Sequence, residues 1–219
     1  MASRGDNPLA MLIDLDTRRH ACDVLAAADK ALARAYDHIG IPEWRSADPH
    51  FESIARTVTY QLVSTRAASA IWARVLAWSG GKLEPNAVIE AEESDLRGCG
   101  LSGPKVRHLK SIASAIENRS LPLDRLSDLS DADARKMLLA VKGIGPWTAD
   151  IYLMSALGRL DAFPQADVGL MEAYRMLSDA EERDKPKAFL ARAETWRPFR
   201  AVAAHLLWGY INAVREKSY

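Results

Sequence analysis

The chain has 219 residues, 48% of them hydrophobic, with 29 basic and 29 acidic side chains and a net charge of zero. That length forms one large domain or two small lobes and buries a substantial core. No apolar run is long enough to span a bilayer. Two distant cysteines, Cys22 and Cys99, match no metal-ligand spacing and cannot supply a four-cysteine cluster. The first residues, Met1 to Asp6, are polar with no apolar signal region behind them. The expectation is a reduced protein inside the cell: cytoplasm or nucleoid in a bacterium, nucleus in a eukaryote.

The elements read as helices almost throughout. Asp16 to Ile39 is rich in alanine and leucine and stops at Gly40. Pro49–Val63 and Ser64–Ser79 form a second pair, closed by Gly80-Gly81. Pro85 to Asp95 precedes the turn Gly98-Cys99-Gly100. Pro104–Asn118 follows, with Ser102 as a cap and Pro104 in its first turn. Asp131–Val141 has Ser130 as its N-cap. Pro146–Leu157, Asp167–Leu177 and Trp196–Lys217 complete the set. No segment alternates as a strand does, and there are no repeats.

One stretch concentrates chemistry. Lys142-Gly143-Ile144-Gly145-Pro146-Trp147-Thr148-Ala149-Asp150 reads as a tight glycine hairpin opening into a helix. Its outward N–H groups suit a phosphate. One helix later, Phe163-Pro164-Gln165-Ala166-Asp167 carries a carboxylate at a helix start. An anion grip beside an acid or base points to chemistry on a nucleic acid. Bases cluster at Arg97, Lys105, Arg107 and Lys110, at Arg135, Lys136 and Lys142, and at Arg192, Arg197 and Arg200. Their closeness to the motifs predicts a basic strip on one side, despite the neutral total. His20, His38, His50, His108 and His205 form no metal spacing. His205 reads as a buried or surface residue.

The hairpin and downstream Asp resemble the helix–hairpin–helix superfamily of DNA glycosylases, in its 3-methyladenine DNA glycosylase II branch. Tyr60-Gln61-Leu62-Val63-Ser64 is similar to that branch's Gln-Leu-Val-Ser stretch. Leu96-Arg97-Gly98-Cys99-Gly100-Leu101-Ser102 with Lys105 looks like its Gly-Leu-Ser turn, and Trp196-Arg197-Pro198-Phe199-Arg200 through Trp208 like its C-terminal helix. The ordered blocks run from about residue 50 to 210. The resemblance implies an all-α, two-lobed helical bundle over the whole chain. The central lobe covers about 46–150. The second combines about 1–45 with 151–219, and a cleft between them holds the active site.

It also implies roles. Asp167 is the catalytic residue: an ionised carboxylate stabilises the cationic sugar or orients the attacking water. Relatives that also cut the strand carry a lysine where this chain has Trp147, which lacks a nucleophilic amine. Trp147 precedes Asp167 by 20 residues, as in the monofunctional branch. Base removal by water, with no lyase step, follows. Trp147, Trp208 and Tyr60 line the base pocket. Electron-rich rings attract a cationic alkylated purine by roughly 0.5–2 kcal/mol per face. Val168 and Ile151 stand where some members have aromatic residues, which narrows the pocket's ring content.

DNA contacts are expected at Gln61, at Leu62 as a wedge into the flipped-base gap, at Gly143, Gly145 and Lys142, and at the Thr148 hydroxyl. The carbonyls of Leu139, Val141 and Ile144 would hold a structural monovalent cation. No other cofactor is expected. The partner is double-stranded DNA, engaged by a monomer with no membrane contact. Rival readings are the same fold acting on oxidised or deaminated bases, and a catalytically silent DNA-binding module. Asp167 argues against the silent module.

Overall fold

The computed structural model describes residues 13–216. The described residues form twelve α-helices and no strand, the all-α fold that the sequence predicts. In chain order the helices are α1 Leu15–Ala28, α2 Lys30–Ile39, α3 Phe51–Tyr60, α4 Thr65–Trp78, α5 Pro85–Glu90 and α6 Glu93–Gly98. α7 Gly103–Glu117, α8 Asp131–Leu139, α9 Pro146–Ser155, α10 Val168–Leu177, α11 Pro186–Ala193 and α12 Arg200–Glu216 follow. Short 3-10 turns occupy Leu123–Asp128 and Glu194–Trp196. The chain divides into two compact units. One is Ala47–Leu157; the other joins the segments up to Ser46 and from Gly158 onward.

In the central unit, α7 packs on α3, α5 and α6, and α9 packs on α3 and α8. The sequence gives the reason. α3 buries Phe51, Ile54, Ala55, Val58 and Thr59, which recur at three- and four-residue spacing on one face. α7 does the same with Val106, Leu109, Ile112 and Ala113. Each fully buried leucine or isoleucine contributes about 1.5–3 kcal/mol. Truncating Ile54, which is 0% exposed, to alanine would cost about 2–5 kcal/mol.

The flanking unit is built around α12, which packs on α1, α2 and α10. Gly209 lets α2 approach closely, because a Cβ there would collide with Ile39 Cδ1. Phe163, Tyr174, Phe189 and Trp196 form an aromatic cluster with centroids 5.6–5.9 Å apart, the spacing at which edge-to-face pairs are favourable.

Several expected helices need correction, among them Trp196–Lys217, where Trp196 ends a 3-10 turn and α12 starts at Arg200. The single helix Asp16–Ile39 breaks at Asp29, whose backbone is extended. Its Oδ1 accepts the N–H groups of Ala31 and Leu32, capping α2. Its Oδ2 accepts the Tyr174 hydroxyl and the Trp196 indole N–H at 3.1 and 3.0 Å, so distant partners decide the break. The helix expected over Pro85–Asp95 is two short ones, interrupted at Ala91 and Glu92. Ser102 makes no side-chain cap bond, although Ser130 caps α8 through the Asp133 N–H as expected. α11 has no counterpart in the sequence reading.

Candidate functional site

The hairpin lies between α8 and α9. The Val141 N–H bonds the Leu138 carbonyl and the Ile144 N–H bonds the Val141 carbonyl, both at 3.1 Å. Gly143 has φ 104°, in the region that favours glycine. A Cβ there would stand 2.6 Å from His108 Cβ and 3.0 Å from its Cα, so the hairpin rests directly on α7. Gly145 is different. Its φ of −87° and ψ of 174° are ordinary extended backbone, and nothing lies within 4 Å of where a Cβ would be. It caps α9 without a side-chain acceptor, and Pro146 adds no N–H. A helix start does not satisfy its first amides internally and carries partial positive charge. The open approach past Gly145 therefore suits an anion.

The helices flanking the hairpin are fastened to each other. Arg135 on α8 donates through Nε to Oδ1 of Asp150 on α9 at 2.7 Å and through its terminal nitrogen to Oδ2 at 3.4 Å. Asp150 is 4% exposed. That hydrogen bond holds the guanidinium above its usual pKa. The pairing removes Arg135 from the expected basic strip. Other members of the strip are also engaged within the protein. Lys110 donates to the carbonyls of Ile89 and Ala91. Arg197 and Arg200 pair with Asp161 and Glu194, and Arg192 pairs with Asp184. Arg97, Arg107, Lys136 and Lys142, all in the central unit, are exposed.

α3 ends at Tyr60, and the next turn is unusual. Leu62 has φ 56° and is fully exposed at 104%. The left-handed region costs a leucine about 1–2 kcal/mol. It is therefore no core leucine. Lys105 does not join a basic strip either. Its ammonium donates to the carbonyls of Thr59 and Gln61 at 2.7 and 2.8 Å, and burial lowers its pKa. Gln61 Nε2 donates to Thr148 Oγ1 at 2.5 Å. Thr148 is 1% exposed. The phosphate contact expected of its hydroxyl is thus corrected: the hydroxyl faces inward and ties α9 to the end of α3. The Tyr60 hydroxyl shares a hydrogen bond with Ser69 at 2.9 Å, and the Arg56 guanidinium lies 5.4 Å from its ring centroid. One face of that ring is therefore taken. Trp147, in the first turn of α9, is half-buried, and Lys142 is exposed.

Asp167 belongs to the flanking unit. It caps α10, its Oδ1 accepting the Leu170 N–H at 2.9 Å and the Trp208 indole N–H at 3.3 Å. Gly169 leaves room for this: a Cβ there would lie 3.1 Å from that oxygen and 3.9 Å from the indole. Trp208 meets the His205 ring edge-on at 5.7 Å, and His205 stacks on Trp44 at 4.1 Å. His205 is buried, and its Nδ1 bonds the Ala201 carbonyl at 2.8 Å, which makes Nδ1 the protonated nitrogen of the neutral ring. Burial, with Arg45 and Arg18 nearby, pushes its pKa down to about 4. Trp44 is half-buried, and its buried Nε1 has no hydrogen-bond partner. Trp44 carried no sequence signal, because the contact that gives it meaning spans most of the chain. The Arg135–Asp150 pair was equally hidden.

The carbonyls expected to hold a cation end α8 and form the turn. Leu139 is the final residue of α8, and the Lys136 and Leu138 carbonyls before it accept the N–H groups of Ala140 and Val141. The Val141 carbonyl accepts the Ile144 N–H and keeps a second lone pair. Neutral backbone oxygens suit a hard cation and not a soft transition metal. No group of three His, Cys, Asp or Glu able to hold a metal occurs among the described residues. No helix among them is long and apolar enough to cross a membrane.

A family model described as HhH-GPD superfamily base excision DNA repair protein matches residues 55–198. DNA-3-methyladenine glycosylase 1 of Schizosaccharomyces pombe is 31% identical over 178 residues, 77% of this chain and 78% of its own. A Bacillus subtilis relative, whose name assigns it the same activity provisionally, is 32% identical over 129 residues. That match takes in 59% of this chain and 45% of the relative, so the chain spans under half of that protein's length. Among solved structures, a 3-methyladenine DNA glycosylase of S. pombe in complex with abasic DNA superposes with a TM-score of 0.81 at 30% identity. It covers 86% of this chain and 95% of that one.

Proposed function

Because the chain belongs to the HhH-GPD superfamily of base excision DNA repair proteins, we propose that it is a monofunctional DNA glycosylase for alkylated purines. It would act inside the cell, as a monomer on duplex DNA, and leave an abasic site. The names of its relatives support the substrate class. The observation that carries the reading is Asp167, a half-buried carboxylate held by two N–H donors, in a chain with Trp147 where a lyase would need an amine.

The chemistry is simple. A purine alkylated at N3 or N7 bears a positive charge. When the bond from its ring nitrogen to C1′ breaks, the electron pair passes to the ring and the base leaves neutral, without an acid. The sugar becomes an oxocarbenium ion, which the Asp167 carboxylate stabilises. Water then bonds to C1′ and gives up a proton to the carboxylate or to solvent. Trp208, which touches Asp167 within one unit, would offer a π-face to the cationic base, and the same role for Trp147 rests on its place in the motif. Tyr60 contributes at most its remaining face. The first amides of α9, reached past Gly145, and the exposed Lys142 would grip a phosphate. Leu62 would fill the gap left by the flipped base, with Gln61 beside it. A monovalent cation on the carbonyls of Leu139, Val141 and Ile144 would add positive charge near that phosphate.

The test is direct. Duplex DNA treated with a methylating agent is incubated with the protein, and released bases are separated by chromatography. Free 3-methyladenine or 7-methylguanine, with strands breaking only after alkali or heat, is the expected result. No released base would overturn the reading, and strand cleavage without alkali or heat would overturn its monofunctional part.

A further inference from the structure

Leu62 is held from two directions. From α7, Lys105 reaches the carbonyls of Thr59 and Gln61, the residues just before the turn. From α9, the buried Thr148 hydroxyl accepts the side chain of Gln61. The residue between these clamps and solvent is a leucine in the left-handed region with its whole side chain in water. Such a conformation persists only where its surroundings fix it, and an exposed apolar side chain held this way points outward for use.

We propose that Lys105 is a positioning residue that locks the turn carrying Leu62, and that Gln61–Thr148 couples this turn to the start of the hairpin helix. The inference rests on the reading of Leu62 as the wedge of a DNA glycosylase. It makes Lys105 part of the scaffold and not of the expected basic strip. An ammonium that already donates two hydrogen bonds to carbonyls and is partly desolvated has little left for DNA. Anchoring at Thr148, in the first turn of α9, means that the backbone grip and the wedge share one rigid base.

The readout is one that general destabilisation would not reproduce. Single-turnover excision of a methylated purine is measured with the lesion opposite its normal partner and opposite an abasic gap, where unpairing is already done. Lys105→Met should slow the first by about tenfold and leave the second within about twofold. Its slope of log affinity against log salt should match wild type. Combined with Leu62→Ala it should be no slower than Leu62→Ala alone, since both act on one step. Equal slowing on both substrates, or a salt slope reduced by about 1, would overturn the proposal. If Leu62→Ala slows the paired lesion but Lys105→Met does not, the proposal fails and the wedge reading stands. If Leu62→Ala changes nothing, the wedge reading itself fails. Should Lys105→Met not fold, Thr148→Val, which removes the Gln61 acceptor and keeps the buried shape, carries the same comparison.

Discussion

The Trp208 indole N–H donates to Oδ1 of Asp167 at 3.3 Å, and that oxygen also accepts the Leu170 N–H at 2.9 Å. One carboxylate oxygen is therefore fixed by both the helix it caps and a ring on α12. Trp208→Phe keeps an aromatic face and removes the donor. Loss of a hydrogen bond to a charged group costs about 1.5–3 kcal/mol, so the excision rate should fall roughly tenfold or more while DNA affinity holds. Single-turnover kinetics with a binding titration checks this. An unchanged rate would remove Trp208 from the positioning of Asp167.

The hairpin, the cap at Asp167 and most helices were legible because they rest on local chemistry: glycine and proline placement, capping residues and apolar spacing. What was not legible depends on long-range partners. Asp29 breaks a helix because Tyr174 and Trp196 claim its second oxygen. Lys105, Arg135 and Thr148 look like surface or phosphate groups in a string of letters. In three dimensions each is satisfied by a residue from another segment of the chain. Charge runs gave the weakest guidance, because a basic residue carries no sign of whether an acid or a carbonyl awaits it.

The two hairpin glycines should respond differently. Gly143→Ala puts a methyl 2.6 Å from His108 Cβ at a φ of 104°. That strain should lower stability by about 1–3 kcal/mol and shift the hairpin. Gly145→Ala has open space and ordinary backbone, so stability should change by under about 1 kcal/mol, with DNA affinity alone reduced. Thermal unfolding beside DNA titration separates them. Equal unfolding temperatures would contradict the packing on α7.

The Arg135–Asp150 pair predicts an asymmetry. Asp150 is 4% exposed, whereas the Arg135 side chain is 34% exposed and can reach water. Arg135→Met removes the guanidinium paired with the buried Asp150 carboxylate and should cost about 2–3 kcal/mol, below the full cost for a wholly buried pair. Asp150→Asn should cost about 1 kcal/mol. Denaturant unfolding of both variants measures the order, and the reverse order would refute it.

His205 makes the fold acid-sensitive. Burial pushes its pKa from 6.5 to about 4, so the unfolded chain binds its proton first. Stability is full above pH 6.5 and falls as pH drops towards 4, with no further loss from this group below that. The shift corresponds to about 3 kcal/mol at most. His205→Gln should lose less stability than wild type between pH 7 and 4. Denaturant midpoints at the two pH values give the comparison, and parallel losses would refute the assignment.

The most direct measurement concerns the charge on Asp167. Asparagine is as good a helix cap as aspartate, and its amide oxygen can still accept from Leu170 and Trp208. Asp167→Asn therefore removes charge with little change of shape. Single-turnover release of methylated purine should fall by about 10²-fold or more, with affinity for lesion-bearing duplex equal to or above wild type. Release at the wild-type rate in that variant would contradict the account.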